Sequence, residues 1–168
     1  MAAQTVVAHG GALDDWFERR RALGQDTHDE VWEGVYHVAP HAPAEHARLV
    51  VRLLVALHER AVSRGLEGLA EFNLGQEGDY RVPDLAWVRE GVELPLYVPT
   101  AVVVGEVLSP GDASRDKVPF YLAREVEEVW LIDPVERSVT ITRPGTERVT
   151  DSAALGVSVE EIRTHLGW

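Results

Sequence analysis

A chain of 168 residues, 45% hydrophobic and 26% charged, is long enough for one sizeable core and has the balance of an ordinary globular domain without disorder-like bias. Its 28 acidic against 16 basic residues give a formal net charge of -12, the opposite of the basic surplus of a dedicated nucleic-acid binder; Arg19, Arg20, Arg21, Arg48, Arg52, Arg60 and Arg64 cluster, but read first as solvated helix faces. The absence of cysteine excludes disulfides and thiolate zinc sites, no segment approaches the roughly 20 apolar residues of a membrane span, and the N-terminus lacks a signal-peptide pattern, so a cytoplasmic protein is expected.

In chain order, residues 13–23 predict a short, peripheral amphipathic helix. Residues 30–39 predict one strand, bent or bulged at Gly34. Residues 41–65 predict a long helix with an apolar stripe of Val50, Val51, Leu54, Val55, Leu57, Ala61 and Val62, stopped at Gly65. Three strands follow at 66–75, 80–89 and 100–109, separated by turn-rich segments. A helix near 117–125 precedes two strands, 127–134 and 136–144, joined by a tight Asp-Pro turn. A closing helix carries Ser158 as N-cap and Glu161 at the capping-box position. The order predicts a single α/β domain over 1–168: one mixed β-sheet flanked by helices, with a peripheral N-terminal region (1–28) and a C-terminal extension (144–168).

The chemistry concentrates in three residues. Alternation in VVVGEVL puts Val102, Val104, Glu106 and Leu108 on one face of a strand and Val103, Gly105 and Val107 on the other. Both faces are apolar around the acid, as in a central covered strand, so Glu106 needs a partner. Pro83 cannot donate to a ladder, so its strand begins or bulges there and frees Asp84 to aim into a cleft. If the strands are neighbours, the two carboxylates repel unless a divalent cation joins them, and hard oxygen ligands suit magnesium or manganese. With Asp116 as N-cap, Lys117 becomes the first helical residue and Pro119 the third, from where the amine reaches back towards the acids, with Tyr121 one turn along. Read singly, each acid fits a salt-bridged or edge position. Together with a lysine they are parts that hydrolyse a phosphodiester: the metal acidifies water and screens the phosphate, and lysine orients the nucleophile or stabilises developing charge.

Pro83-Asp84, EVLSP at 106–110, DASRDK at 112–117 with Tyr121, and EEVWLIDP at 127–134 together resemble the Uma-two family of restriction-endonuclease-like proteins, within the PD-(D/E)XK nuclease superfamily. WEGVYHVAPHAPAEH at 32–46 is similar to that family's entry strand and helix start, so the resemblance runs from about 30 to 143. It implies a restriction-endonuclease-like fold, magnesium (or manganese) on Asp84, Glu106 and the Val107 carbonyl, and catalysis by Asp84, Glu106 and Lys117. Leu108 stands where the superfamily commonly has lysine, which implies that the lysine has migrated to the following helix. Glu33 and His46 also match family positions, as an outer ligand or anchor and as a helix cap, buried polar contact or catalytic group; His41 and His46 are spaced poorly for a shared metal. The implied function is a magnesium-dependent endonuclease acting on DNA as a homodimer, with no membrane partner. A catalytically inactive nuclease-fold binding or regulatory module is the alternative, and a hydrolase of smaller phosphoesters a third reading.

Overall fold

The computed structural model describes residues 4–5, 14–39, 42–111 and 113–168; Leu13, His41 and Asp112, which enter the expectations above, lie outside the described residues. Its elements are β1 (Gln4–Thr5), α1 (Asp14–Ala22), β2 (Glu30–Trp32), β3 (Val35–Val38), α2 (Ala44–Ser63), β4 (Leu66–Leu69), β5 (Asn73–Gln76), β6 (Asp79–Arg81), β7 (Leu85–Arg89), β8 (Tyr97–Val98) and β9 (Val103–Val107). A 3-10 turn (Ser114–Lys117) leads into α3 (Val118–Ala123), then β10 (Glu128–Asp133), β11 (Ser138–Arg143), β12 (Thr146–Val149), β13 (Asp151–Ser152), β14 (Val157–Ser158) and α4 (Val159–Leu166).

The strands form two six-stranded sheets, β1-β3-β2-β6-β5-β8 and β12-β11-β10-β9-β7-β4, with β13 and β14 as a small separate pair. This divides what the sequence predicts as one sheet, and it changes three expected strands. Residues 30–38 are a hairpin, because Glu33 (φ 49°) and Gly34 (φ 83°) both take the left-handed conformation of a two-residue turn, pairing Glu30 with His37 and Trp32 with Val35. Residues 66–75 split between the sheets as β4 and β5, with Glu71 (φ 53°) at the crossing. Residues 79–89 split likewise as β6 and β7, interrupted at Val82–Asp84 where Pro83 removes a donor. The Glu71 amide donates to the Pro83 carbonyl (3.3 Å), so the two crossings form one corner between the sheets.

Central β9 pairs antiparallel with β7 and parallel with β10, the latter through the α3 crossover. Val103 and Val107 face a core closed by Leu49, Leu53 and Leu57 of α2 and Ile162 and Leu166 of α4; Val104 faces a second core with Leu74, Tyr121, Val126 and Val129. The buried stripe of α2 is Leu49, Val50, Leu53, Leu57 and Ala61, rotated from the expected one: Val51, Val55 and Val62 are exposed. With leucine and valine almost all round this helix, periodicity alone does not choose its inner face. Two of its arginines do more than face solvent. Arg52 donates to the Leu166 carbonyl (2.9 Å), and Arg60 to the Gly156 carbonyl (2.5 Å) and Glu161 (2.9 Å), fastening α4. Ser158 and Glu161 complete the expected capping box on α4. Trp130, fully buried, donates to buried Glu128, which also accepts from Arg143 and the Ala153 and Ala154 amides and so ties the C-terminal residues to β10.

Gly105 is required by close packing: a Cβ there would stand 2.8 Å from Leu85 Cδ1 and 2.9 Å from its Cγ, and Leu85 is fully buried. Gly105→Ala should therefore destabilise the protein by about 1–3 kcal/mol, the usual cost of overpacking, measured by urea denaturation. A variant as stable as the parent would contradict this packing.

Candidate active site

The site lies at the corner where the chain passes between the sheets. β7 pairs with β9 so that Leu85 faces Gly105, and one further step of this antiparallel register sets Asp84 opposite Glu106. Asp84 Oδ2 accepts the Val107 amide (2.7 Å), which fixes its carboxylate against the residue following Glu106. The amide, rather than the carbonyl, is thus the group of Val107 engaged with the acid.

Glu106, at 1% exposure, is the most buried charged residue of the site. Its Oε1 accepts from the Tyr121 hydroxyl (2.5 Å), and Lys117 Nζ lies 3.3 and 3.2 Å from Oε1 and Oε2. The two donors reach it from one short segment, although not by the predicted capping. Asp116 is inside the 3-10 turn, Lys117 itself occupies the cap position of α3 without a capping hydrogen bond, and Pro119 falls within the first helical turn. A 3-10 turn running into the helix delivers the amine inward just as the predicted helix start would.

Glu30, which the sequence reading passed over in favour of Glu33, completes the site. Its Oε1 lies 2.8 Å from Lys117 Nζ and accepts the Val82 amide (2.8 Å), while Oε2 accepts Trp32 Nε1 (2.7 Å). Glu33 is exposed at the hairpin turn, where its amide donates to Asp79 Oδ1 (3.1 Å). Only the hairpin register separates the two candidates, because it turns Glu30, Trp32, Val35 and His37 to one face. Asp29, 1% exposed, anchors this hairpin by accepting from Arg20, Tyr36 and the Ala39 amide. The Arg81 guanidinium lies between the rings of Trp32 (4.4 Å) and Phe120 (3.9 Å), joining the element that carries Glu30 to the one that carries Lys117.

His46, in the first turn of α2, is not the helix cap; Pro43 holds that position. Its Nε2 lies in close contact with Asp84 Oδ1 (2.9 Å), off the direction of a hydrogen bond, and both ring nitrogens are buried. Asp84, Glu106, Lys117, Tyr121 and His46 are therefore brought together, Glu30 joins them, and Glu33 stands apart.

Two carboxyl groups, Glu106 and Glu30, contact one amine, and Asp84 stands beside Glu106. Burial, opposed by Lys117 and reinforced by the charges of Asp84 and Glu30, pushes the Glu106 carboxyl up to about 8. Burial lowers the Lys117 amine's affinity for its proton, but the Glu106 and then the Glu30 carboxylate outweigh this and hold it above the ordinary lysine range. Burial and the Glu106 charge raise Tyr121 well above a free phenol, so it remains a donor. The surplus of carboxyl oxygens is donor chemistry that suits a hard divalent cation. Asp84 and Glu106, opposite each other across the ladder, would hold it; among the described residues no three His, Asp or Glu side chains form a ready-made cage.

A family model described as "Uma2: Putative restriction endonuclease" matches residues 14–163. A solved structure titled as a "putative nuclease belonging to DUF820" from Anabaena variabilis superimposes with a TM-score of 0.68 at 18% identity, covering 82% of this chain and 90% of that one. No curated protein matches the sequence at a significant level.

The raised Glu106 value gives a stability test. A folded state that holds this proton more tightly than the unfolded chain gains from it fully below about pH 4.5 and loses that gain as pH rises through about 8. The melting temperature of metal-free protein should carry a component that falls across this range, and Glu106→Gln should flatten it. An unchanged pH profile in the variant would contradict the assignment.

Proposed function

The chain belongs to the Uma2 family, described as putative restriction endonucleases, and from that premise we propose that it is a magnesium-dependent endonuclease that hydrolyses DNA phosphodiesters at the Asp84, Glu106 and Lys117 site. The observation that carries this reading is the lysine amine held against a buried carboxyl whose neighbour across the ladder is a second acid. Magnesium or manganese held by Asp84 and Glu106, with the Val107 carbonyl, would supply activation of water and neutralisation of phosphate charge. Tyr121 fixes one oxygen of Glu106 and so orients the carboxylate. Lys117, kept protonated by Glu106 and Glu30, directs a positive charge and N–H donors at the attacking water or the charge developing on phosphate. Glu30 keeps that amine from folding wholly onto Glu106. His46, with Nε2 2.9 Å from Asp84 Oδ1, is placed to steady that acid.

The saturation of Glu106 by Lys117 and Tyr121 is the observation that favours a silent binding module instead. Magnesium titration by calorimetry separates the two readings, because the silent module takes up no ion. A homodimer belongs to the nuclease proposal, supported by the exposed Val51, Val55 and Val62 along one side of α2; light scattering reports it directly.

With magnesium the purified protein should nick plasmid DNA. Asp84→Asn, Glu106→Gln and Lys117→Ala should each lower the rate by about 100-fold or more while circular dichroism stays native-like. Cleavage by Glu106→Gln at the parent rate would sink the proposal.

A further inference from the structure

The imidazole of His46 is buried in the first turn of α2 against the candidate site, and neither of its nitrogens makes a hydrogen bond among the described residues. A buried polar group left without such a bond costs stability, so its presence points to a partner of another kind. The atom that Nε2 does touch is Asp84 Oδ1, at 2.9 Å and off the direction of a hydrogen bond. An octahedral divalent ion keeps its donors at about 2.1 Å and at right angles, which sets neighbouring donor atoms about 3 Å apart. The nitrogen and the oxygen therefore have the separation of two adjacent ligands on one ion.

The surrounding structure builds this edge from two elements. Asp84 Oδ2 accepts the Val107 amide (2.7 Å), which leaves Oδ1 turned to His46. Leu49, three residues along α2 from His46, and Leu85, the neighbour of Asp84, are buried in the same hydrophobic core, so packing fixes both ends of the contact. Glu106 stands opposite Asp84 across the ladder with Tyr121 and Lys117 on its oxygens. No three of these side chains close as a cage among the described residues; the prepared part is the one edge formed by an imidazole and a carboxylate.

We propose that His46 Nε2 is a direct ligand of the divalent cation, sharing it with Asp84 Oδ1, and that this nitrogen turns the site toward manganese over magnesium. The inference rests on the nuclease reading for the presence of the ion, and goes beyond it in naming a third protein side chain and the selectivity that side chain confers. Oxygen ligands serve both ions, whereas an imidazole nitrogen adds more to the binding of a first-row transition ion, whose affinity for nitrogen donors rises along the series that manganese begins. Magnesium, which prefers oxygen, gains less from His46 and relies on the two acids.

The probe is manganese itself, added to the full chain without DNA. Electron spin echo modulation of the bound ion should carry the signature of a coordinated imidazole nitrogen in the parent and lose it in His46→Gln, with circular dichroism checking that the variant is folded. Calorimetry should show that His46→Gln weakens manganese binding by about ten-fold and magnesium binding by about two-fold or less. A parent whose bound manganese shows no nitrogen coupling would overturn the proposal without recourse to any variant, and would leave the two acids as the metal site. A folded variant that keeps the coupling, or loses affinity for both ions equally, would overturn it as well. Parent protein that takes up no manganese at about 10 mM would overturn this ligand together with the hydrolytic reading. Cleavage of DNA is read in a separate assay: failure there with the nitrogen coupling intact removes the hydrolytic reading and leaves the ligand standing.

Discussion

The constraint behind this site is the presence of a carboxyl group inside the most covered strand of the protein. Glu106 sits between two hydrophobic cores, where an isolated charge would be held only at a cost of several kcal/mol. The surroundings answer in order. Tyr121 donates to one oxygen, Lys117 brings the compensating charge, and Glu30 steadies that charge in turn. Tyr121 and Lys117 come from one short segment and Glu30 from the distant hairpin, and removing any one would leave a buried polar group unsatisfied. The polar network is therefore a unit, and the short segments that carry it are as constrained as the core strands.

The division into two sheets is what allows such a network to exist. A continuous β-sheet would have consumed the backbone groups of Val82 and Val107 in ladder bonds, whereas the corner at Val82–Asp84 releases Val82 to Glu30 and positions Asp84 to accept from Val107. Pro83 initiates that corner by lacking a donor, and the Glu71 to Pro83 bond closes it. On the other side the Trp32, Arg81 and Phe120 stack couples the hairpin to α3. The clustered polar groups thus stand on strand ends and a braced turn, held from two sheets at once.

Much of this was readable from residue order, and the rest was hidden for identifiable reasons. The face of β9 that carries Glu106, the interruption at Pro83 and the capping box of α4 rest on period-two alternation, a missing N–H and a side-chain motif, all of which are local. The hairpin at 30–38 was missed because Glu33 adopts a positive φ that glycine or asparagine normally announces, so the run reads as one bent strand. Read as one bent strand, the run offers Glu33, three residues from Glu30 but within the turn itself. The pattern Glu-x-Trp, with both side chains on the face of a strand ending in a tight turn, was the available signal. The inner stripe of α2 was misplaced because its apolar residues nearly encircle it, and the partition of 66–89 between two sheets is a long-range outcome that no local window contains.

The place of the amine on the 3-10 turn, and not on β9, has a mechanical consequence. A lysine on β9 would be locked to the ladder, and any change in its reach would shift every core valine with it. Carried on the 3-10 turn that leads into a six-residue helix, the ammonium is positioned by a different part of the backbone from the two acids, which are held by β7 and β9. The reach of the lysine is therefore set by the backbone of the turn and α3, and that of the acids by the ladder, so two separate parts of the scaffold meet at one buried carboxyl.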